Sequence, residues 1–210
     1  MGHGEGRPIG PDDIEHARVL LIEGNQRFAT GQVLHPHADA EWRRQILAGQ
    51  KPFAAVLGCA DSRVAPEVIF DCGLGDLFVV RSAGHVIGGE TLASIEYAAT
   101  HLHVPLLLVL GHARCGAVQA ALSGEAQPPG HLSVLTDAIR PAIERARKEA
   151  LPAVAAEDLL AERAARMHAR MTAARLPEAS PLVAERVAAG ALRILAAYYD
   201  LASGRVEMLA

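Results

Sequence analysis

The sequence predicts an α/β fold: a mostly parallel central sheet flanked by helices, with an N-terminal helical arm and a C-terminal antiparallel edge strand. Three observations carry this. Short apolar runs at 53–58 (FAAVLG), 77–81 (LFVVR) and 106–111 (LLLVLG) end abruptly, as strands buried on both faces do. Helical spacing of Leu92, Ile95, Ala99 and Leu102 lies between the last two runs, giving strand–helix–strand at the pitch of βαβ units. The tail ALRILAAYYDLASGRVEML reads as strand, Ser-Gly turn, strand.

Residues 12–30 are predicted to form an amphipathic helix, with Ile14, Ala17, Leu21 and Phe28 on one face, ending near Gly31. A loop around Pro36 follows, then a short helix over 41–48. Together 12–50 form the helical arm of a single domain spanning 1–210, with 1–11 expected to be flexible. Pro128-Pro129-Gly130 marks a loop, and 132–175 is expected to be largely helical, with Pro141 and Pro152 as helix starts or breaks. Pro177 and Pro181 are expected to bracket a turn before a helix over 182–190.

Composition narrows the function. A chain of 210 residues, half of them hydrophobic, is long enough to bury a core without staples. Its net charge of −4, with no basic stripe, points away from nucleic acid. The first ten residues hold no apolar signal core, and Val104 to Gly111 is too short to span a bilayer, which takes ~20 residues. A cytoplasmic protein with no membrane partner is therefore expected. Three cysteines are too few, and odd in number, for a disulfide framework.

Cys59 directly follows one strand candidate; His112 and Cys115 follow another as Gly-His-x-x-Cys. The carboxyl ends of parallel strands line a shared crevice, so the three residues should converge. Two thiols and an imidazole suit a tetrahedral zinc ion, and three protein ligands leave a position open for water, as in a catalytic site. The same residues also read as two small buried hydrophobes and a strand-end histidine, and spacing alone leaves both readings open. Beside Cys59, Asp61 and Arg63 are placed to form a charge-assisted pair. It is either a surface salt bridge or a device that holds Asp61 as acceptor for solvent on the metal. Cys72 reads as core filling. His85 reads as a packed loop histidine or a proton shuttle, and His35, His37, His101 and His103 as surface or helix-end residues.

Cys59-Ala60-Asp61-Ser62-Arg63-Val64 and Gly111-His112-Ala113-Arg114-Cys115-Gly116 resemble the two signature motifs of β-class carbonic anhydrases. GNQRF, LFVVRSAG, SIEYA and YYDLASGRV extend the likeness over residues 12–209. The resemblance implies one zinc per chain on Cys59, His112 and Cys115, with Asp61 and Arg63 as catalytic dyad. Carbon dioxide would be hydrated reversibly to bicarbonate by attack of zinc-bound hydroxide. It implies that Asp61 can become a fourth ligand in a closed state. Gln50, Phe78 and Tyr97 match substrate-pocket residues, and Ala83 stands where relatives carry a larger aliphatic side chain. It also implies a homodimer or homotetramer in which the N-terminal helix wraps a neighbour and both chains line each pocket. One subgroup carries a regulatory bicarbonate site with Trp three residues before the first Cys; this chain has Val56. Alternatives are hydrolysis of carbonyl sulfide or carbon disulfide on the same fold, or a non-catalytic zinc or redox protein. Nucleotide binding finds no Gly-x-Gly-x-x-Gly after any strand.

Overall fold

The computed structural model describes residues 10–123, 130–148 and 156–209. Its sheet holds β1 (Ala54–Cys59), β2 (Leu77–Ser82), β3 (Leu106–His112), β4 (Arg193–Tyr199) and β5 (Val206–Leu209), in the order β2-β1-β3-β4-β5. The first four strands run parallel, and β5 returns antiparallel along β4 at one edge. Every residue of β1 and β3 is buried, which explains why those runs are continuously apolar rather than alternating.

The period of two along a strand divides these residues between two cores. Ala55, Leu57, Leu107 and Val109 face one, covered by α4 (Gly89–Thr100), α5 (Gly116–Leu122), α6 (Leu132–Lys148), α7 (Ala156–Ala179) and α8 (Pro181–Ala188). Ala54, Val56, Leu106, Leu108 and Leu110 face the other, covered by α1 (Pro11–Ala29) and the short α3 (Pro66–Ile69). Each fully buried Leu contributes roughly 1.5–3 kcal/mol of transfer free energy.

The predicted arm divides in two. The α1 helix lays Ala17 and Leu21 on its own sheet. Gly24 lets it approach closely, since a Cβ there would lie 1.9 Å from the Phe70 carbonyl oxygen. The GNQRF motif anchors it. Asn25 Nδ2 donates to the carbonyls of Ile69 and Gly204, while Asn25 Oδ1 accepts from the Val206 amide. Arg27 Nε reaches buried Asp71 at 2.6 Å. By contrast α2 (Ala40–Gln45) and the 3-10 turn Ile46–Ala48 bury no residue. Trp42 there stacks on His37, its ring centroid 3.8 Å away, and His37 Nδ1 lies 2.8 Å from Asp76.

Two proline readings are corrected. Pro141 lies inside α6 rather than at a start or break, because Thr136, Ile139, Ala142, Ile143 and Ala146 continue one buried face across it. That tertiary burial offsets an interior-proline cost of about 3 kcal/mol. Pro177 also lies within its helix, beside fully buried Leu176, so the turn before α8 narrows to Ser180, whose side chain caps Val183 N. Pro152, Pro128, Pro129 and residues 1–9 lie outside the described residues.

Candidate metal centre

The chain leaves β1 towards β2 on one side and later places β3 on the other, so the carboxyl ends of β1 and β3 flank a topological switch point. Cys59 is the last residue of β1 and His112 the last of β3. The turn Ala113–Arg114 then brings Cys115 to the start of α5; Arg114 takes a left-handed φ of 52° to make that turn. The outcome is a buried cluster: Cys59 Sγ, Cys115 Sγ and a His112 ring nitrogen lie within 4.8 Å of one another.

The donor chemistry fits a metal ion. His112 Nδ1 sits 2.8 Å from the Ala113 carbonyl oxygen, so Nδ1 carries the proton. Nε2 is then a free lone pair, and it is buried with no hydrogen-bond partner. A backbone carbonyl fixing the tautomer of a ligating histidine is the usual supporting arrangement. A hydrogen bond between the two thiols couples them. The hydrogen bond with Cys115 holds the Cys59 thiol down to about 4 against the opposing effect of burial. The hydrogen bond with Cys59, together with burial, pushes Cys115 up. A bound dication would displace the thiol protons and neutralise both thiolates.

Backbone donors support Cys59: the amides of Asp61 and Gly84 point at its sulfur from 3.4 and 3.3 Å. Arg63 forks onto the Asp61 carboxylate, Nε to Oδ1 at 2.9 Å and Nη2 to Oδ2 at 2.6 Å. The hydrogen bond from Arg63 holds Asp61 well below the usual carboxylate range against the opposing effect of burial. Arg63 also donates to the Arg114 carbonyl at 3.2 Å, so it links the loop after Cys59 to the loop between His112 and Cys115.

Sequence reasoning missed Arg81. Its Nε donates to the Cys59 carbonyl at 2.9 Å and its Nη2 to the Asp61 carbonyl at 2.6 Å, fixing the turn that carries Asp61 and Arg63. The strand register puts it there: Arg81 precedes Ser82, which pairs with Cys59. Ala83 follows that strand and adjoins Gly84 at the cluster. Gln50, Phe78 and Tyr97 stand elsewhere in the single chain. Gln50 is exposed ahead of β1, at the opposite end of that strand from Cys59. Phe78 pairs with Ala55, well back along the sheet, and packs against exposed Tyr97 at 6.0 Å. His101 caps α4 and stacks on Tyr97 at 5.0 Å, while His85 is fully buried. Cys72 is half-buried and donates to the Phe70 carbonyl, and no fourth Cys, His or carboxylate joins the cluster among the described residues.

A parallel-strand crevice holding two cysteines, a histidine and an arginine-clamped aspartate defines a centre of the kind that suits a catalytic metal ion, open to one further ligand. The family model for carbonic anhydrase matches residues 54–206. Carbonic anhydrase 2 of Mycobacterium tuberculosis is 45% identical over 191 residues, covering 90% of this chain and 89% of that protein. The carbonic anhydrase of Mycolicibacterium smegmatis is 46% identical over 192 residues, covering 90% and 89%. Among solved structures, one of two tetrameric β-carbonic anhydrases from Sordaria macrospora superposes with a TM-score of 0.74 at 26% identity, over 82% of this chain and 87% of that one. The chain belongs to the carbonic anhydrase family, in its β class, and is a carbonate dehydratase interconverting carbon dioxide and bicarbonate. Hydrolysis of carbonyl sulfide or carbon disulfide is not favoured, because the curated relatives it matches are carbonic anhydrases.

Proposed function

We propose that Cys59, His112 and Cys115 hold one zinc ion per chain and that Asp61 and Arg63 form the catalytic dyad beside it. The observation that carries this is the buried, partnerless His112 Nε2 in a cluster whose two sulfurs and ring nitrogen lie within 4.8 Å of one another. When bound, zinc supplies Lewis acidity that brings the pKa of a coordinated water from 15.7 to about 7.

The chain's own residues do the rest. Asp61 stays ionised; Arg63 donates twice to Oδ1, from Nε and from its backbone amide, and once to Oδ2, which leaves a lone pair on Oδ2. A remaining lone pair accepts a hydrogen bond from solvent at the open position and so orients that solvent for attack on carbon dioxide. Arg81 and Arg63 keep the dyad turn fixed relative to the ligands. Ala83, next to Gly84 on the turn beside Cys59, is read as lining the substrate pocket. Val56, which stands where one subgroup of the family carries Trp, is fully buried in the core.

Gln50, Phe78 and Tyr97 are read as lining the pocket of a second copy, in a homodimer or homotetramer. Supporting this, all three lie away from the cluster of their own chain, and Tyr97 is 44% exposed. Leu34 and Leu47, both on the arm, are 69% and 83% exposed, as surfaces meant for a partner would be. A cytoplasmic setting is consistent with three free cysteines and with no described helix long and apolar enough to cross a membrane. Carbon dioxide hydration should co-elute with a mass of two or four chains in size-exclusion chromatography with light scattering. Full activity in a monomeric peak would contradict the shared pocket.

A further inference from the structure

Gly84 makes two contacts in opposite directions. Its amide donates to Cys59 Sγ at 3.3 Å, and its carbonyl lies 2.9 Å from His168 Nε2 on α7, 84 residues away in sequence. A carbonyl only accepts, so Nε2 is the protonated nitrogen of His168. Burial holds the pKa of His168 down, so the ring donates as a neutral imidazole. The turn thus held is strained: Gly84 and His85 both take left-handed backbone angles, with φ of 62° and 46°. For a non-glycine residue such a conformation persists only where its surroundings impose it. His85 is fully buried, neither of its ring nitrogens has a partner, and its ring packs on His168 at 4.5 Å. His85 therefore contributes contact rather than hydrogen bonds to hold the turn. Space is tight as well: a Cβ on Gly84 would meet Ala117 Cβ and Ile139 Cδ1 at 2.9 Å.

We propose that His168 is a positioning residue for the metal centre: its hydrogen bond to the Gly84 carbonyl pins the strained Gly84–His85 turn so that the Gly84 amide stays aimed at the Cys59 sulfur. This rests on Cys59 being a metal ligand. A hydrogen bond to a coordinating thiolate draws electron density from the sulfur and fixes its direction, and outer partners of this kind typically govern 10- to 100-fold in metal affinity or activity. His168 reaches the centre only through the backbone, so sequence motifs around the ligands do not reveal it.

The test uses the cobalt-substituted enzyme, in which the thiolate-to-metal charge-transfer absorption reports the two ligand sulfurs, Cys59 and Cys115, together. His168→Leu keeps the bulk and removes the donor. Its band should move to longer wavelength, and its metal should pass to a chromophoric chelator about 10-fold faster. His168→Gln, whose terminal amide can donate from a similar position, should restore both towards the wild type. If His168→Leu does not fold, His168→Asn, too short to reach the carbonyl, replaces it in the comparison. A wild-type band and transfer rate in the donor-less variant would overturn the proposal. Equal impairment in the Gln and Leu variants would also overturn it, since only packing would then matter. A wild-type cobalt enzyme without any thiolate charge-transfer band would overturn the metal assignment itself, a result distinct from either.

Discussion

Cys115→Ala is expected to lose zinc and carbon dioxide hydration together while keeping the fold. Cys115 begins α5 and completes the proposed three-ligand set, whose other members end two adjacent strands. Removing it leaves two ligands, too few to hold a catalytic zinc against exchange. The expected zinc content is below about one tenth per chain, and the rate should fall to background, forfeiting most of the ~10⁶-fold or larger enhancement typical of enzymes. The core survives because Val118, one turn along α5, stays buried in the same cluster as Ile139 and Ile143. Circular dichroism and metal analysis on the same sample check this. Full zinc occupancy in the variant would remove Cys115 from the ligand set.

Arg63→Ala is expected to lower activity by about 10- to 100-fold at neutral pH and to move the activity profile to higher pH. The sign follows from the charges. The Arg63 hydrogen bond depresses the pKa of Asp61, so the stabilisation from that pair is fully present above the ordinary carboxylate range and is lost only as pH falls through the lowered value. Without Arg63 that pKa rises towards the ordinary carboxylate value, about 3.9, and Asp61 still stays ionised near neutrality. The shift in profile therefore comes from movement of Asp61, not from its protonation. Freed from the fork, the carboxylate can turn to the cation and take the open position as a fourth ligand. Hydroxide competes better for that position as pH rises, so activity recovers on the alkaline side. Rates across neutral to alkaline pH, with zinc content measured at each point, decide it. A variant with the wild-type rate and midpoint would make Asp61–Arg63 a structural salt bridge only.

Cys115 and Arg63 are both legible in the amino-acid sequence, and the reason is local. Strand ends that stop at Gly58 and Gly111 announce the crevice, and the chemistry-bearing residues follow closely after each. The strands are readable because β1 and β3 are buried on both faces and must be continuously apolar. Pro141 and Pro177 mislead because local proline propensity is outweighed by buried helix faces that sequence spacing shows only weakly. Arg81 and His168 are illegible for another reason. Each acts on backbone atoms brought near by the sheet and by α7, and no spacing rule encodes a side chain that reaches a distant carbonyl. Gln50, Phe78 and Tyr97 are singled out by likeness alone, and the single chain leaves all three away from the cluster.

The most direct test of the central claim is reconstitution. The metal-free enzyme is titrated with zinc while carbon dioxide hydration and bound metal are measured on the same aliquots. Activity should rise linearly and stop at one zinc per chain. A rate that is independent of added zinc, or that saturates at a different stoichiometry, would contradict the assignment of Cys59, His112 and Cys115 as a single catalytic metal site.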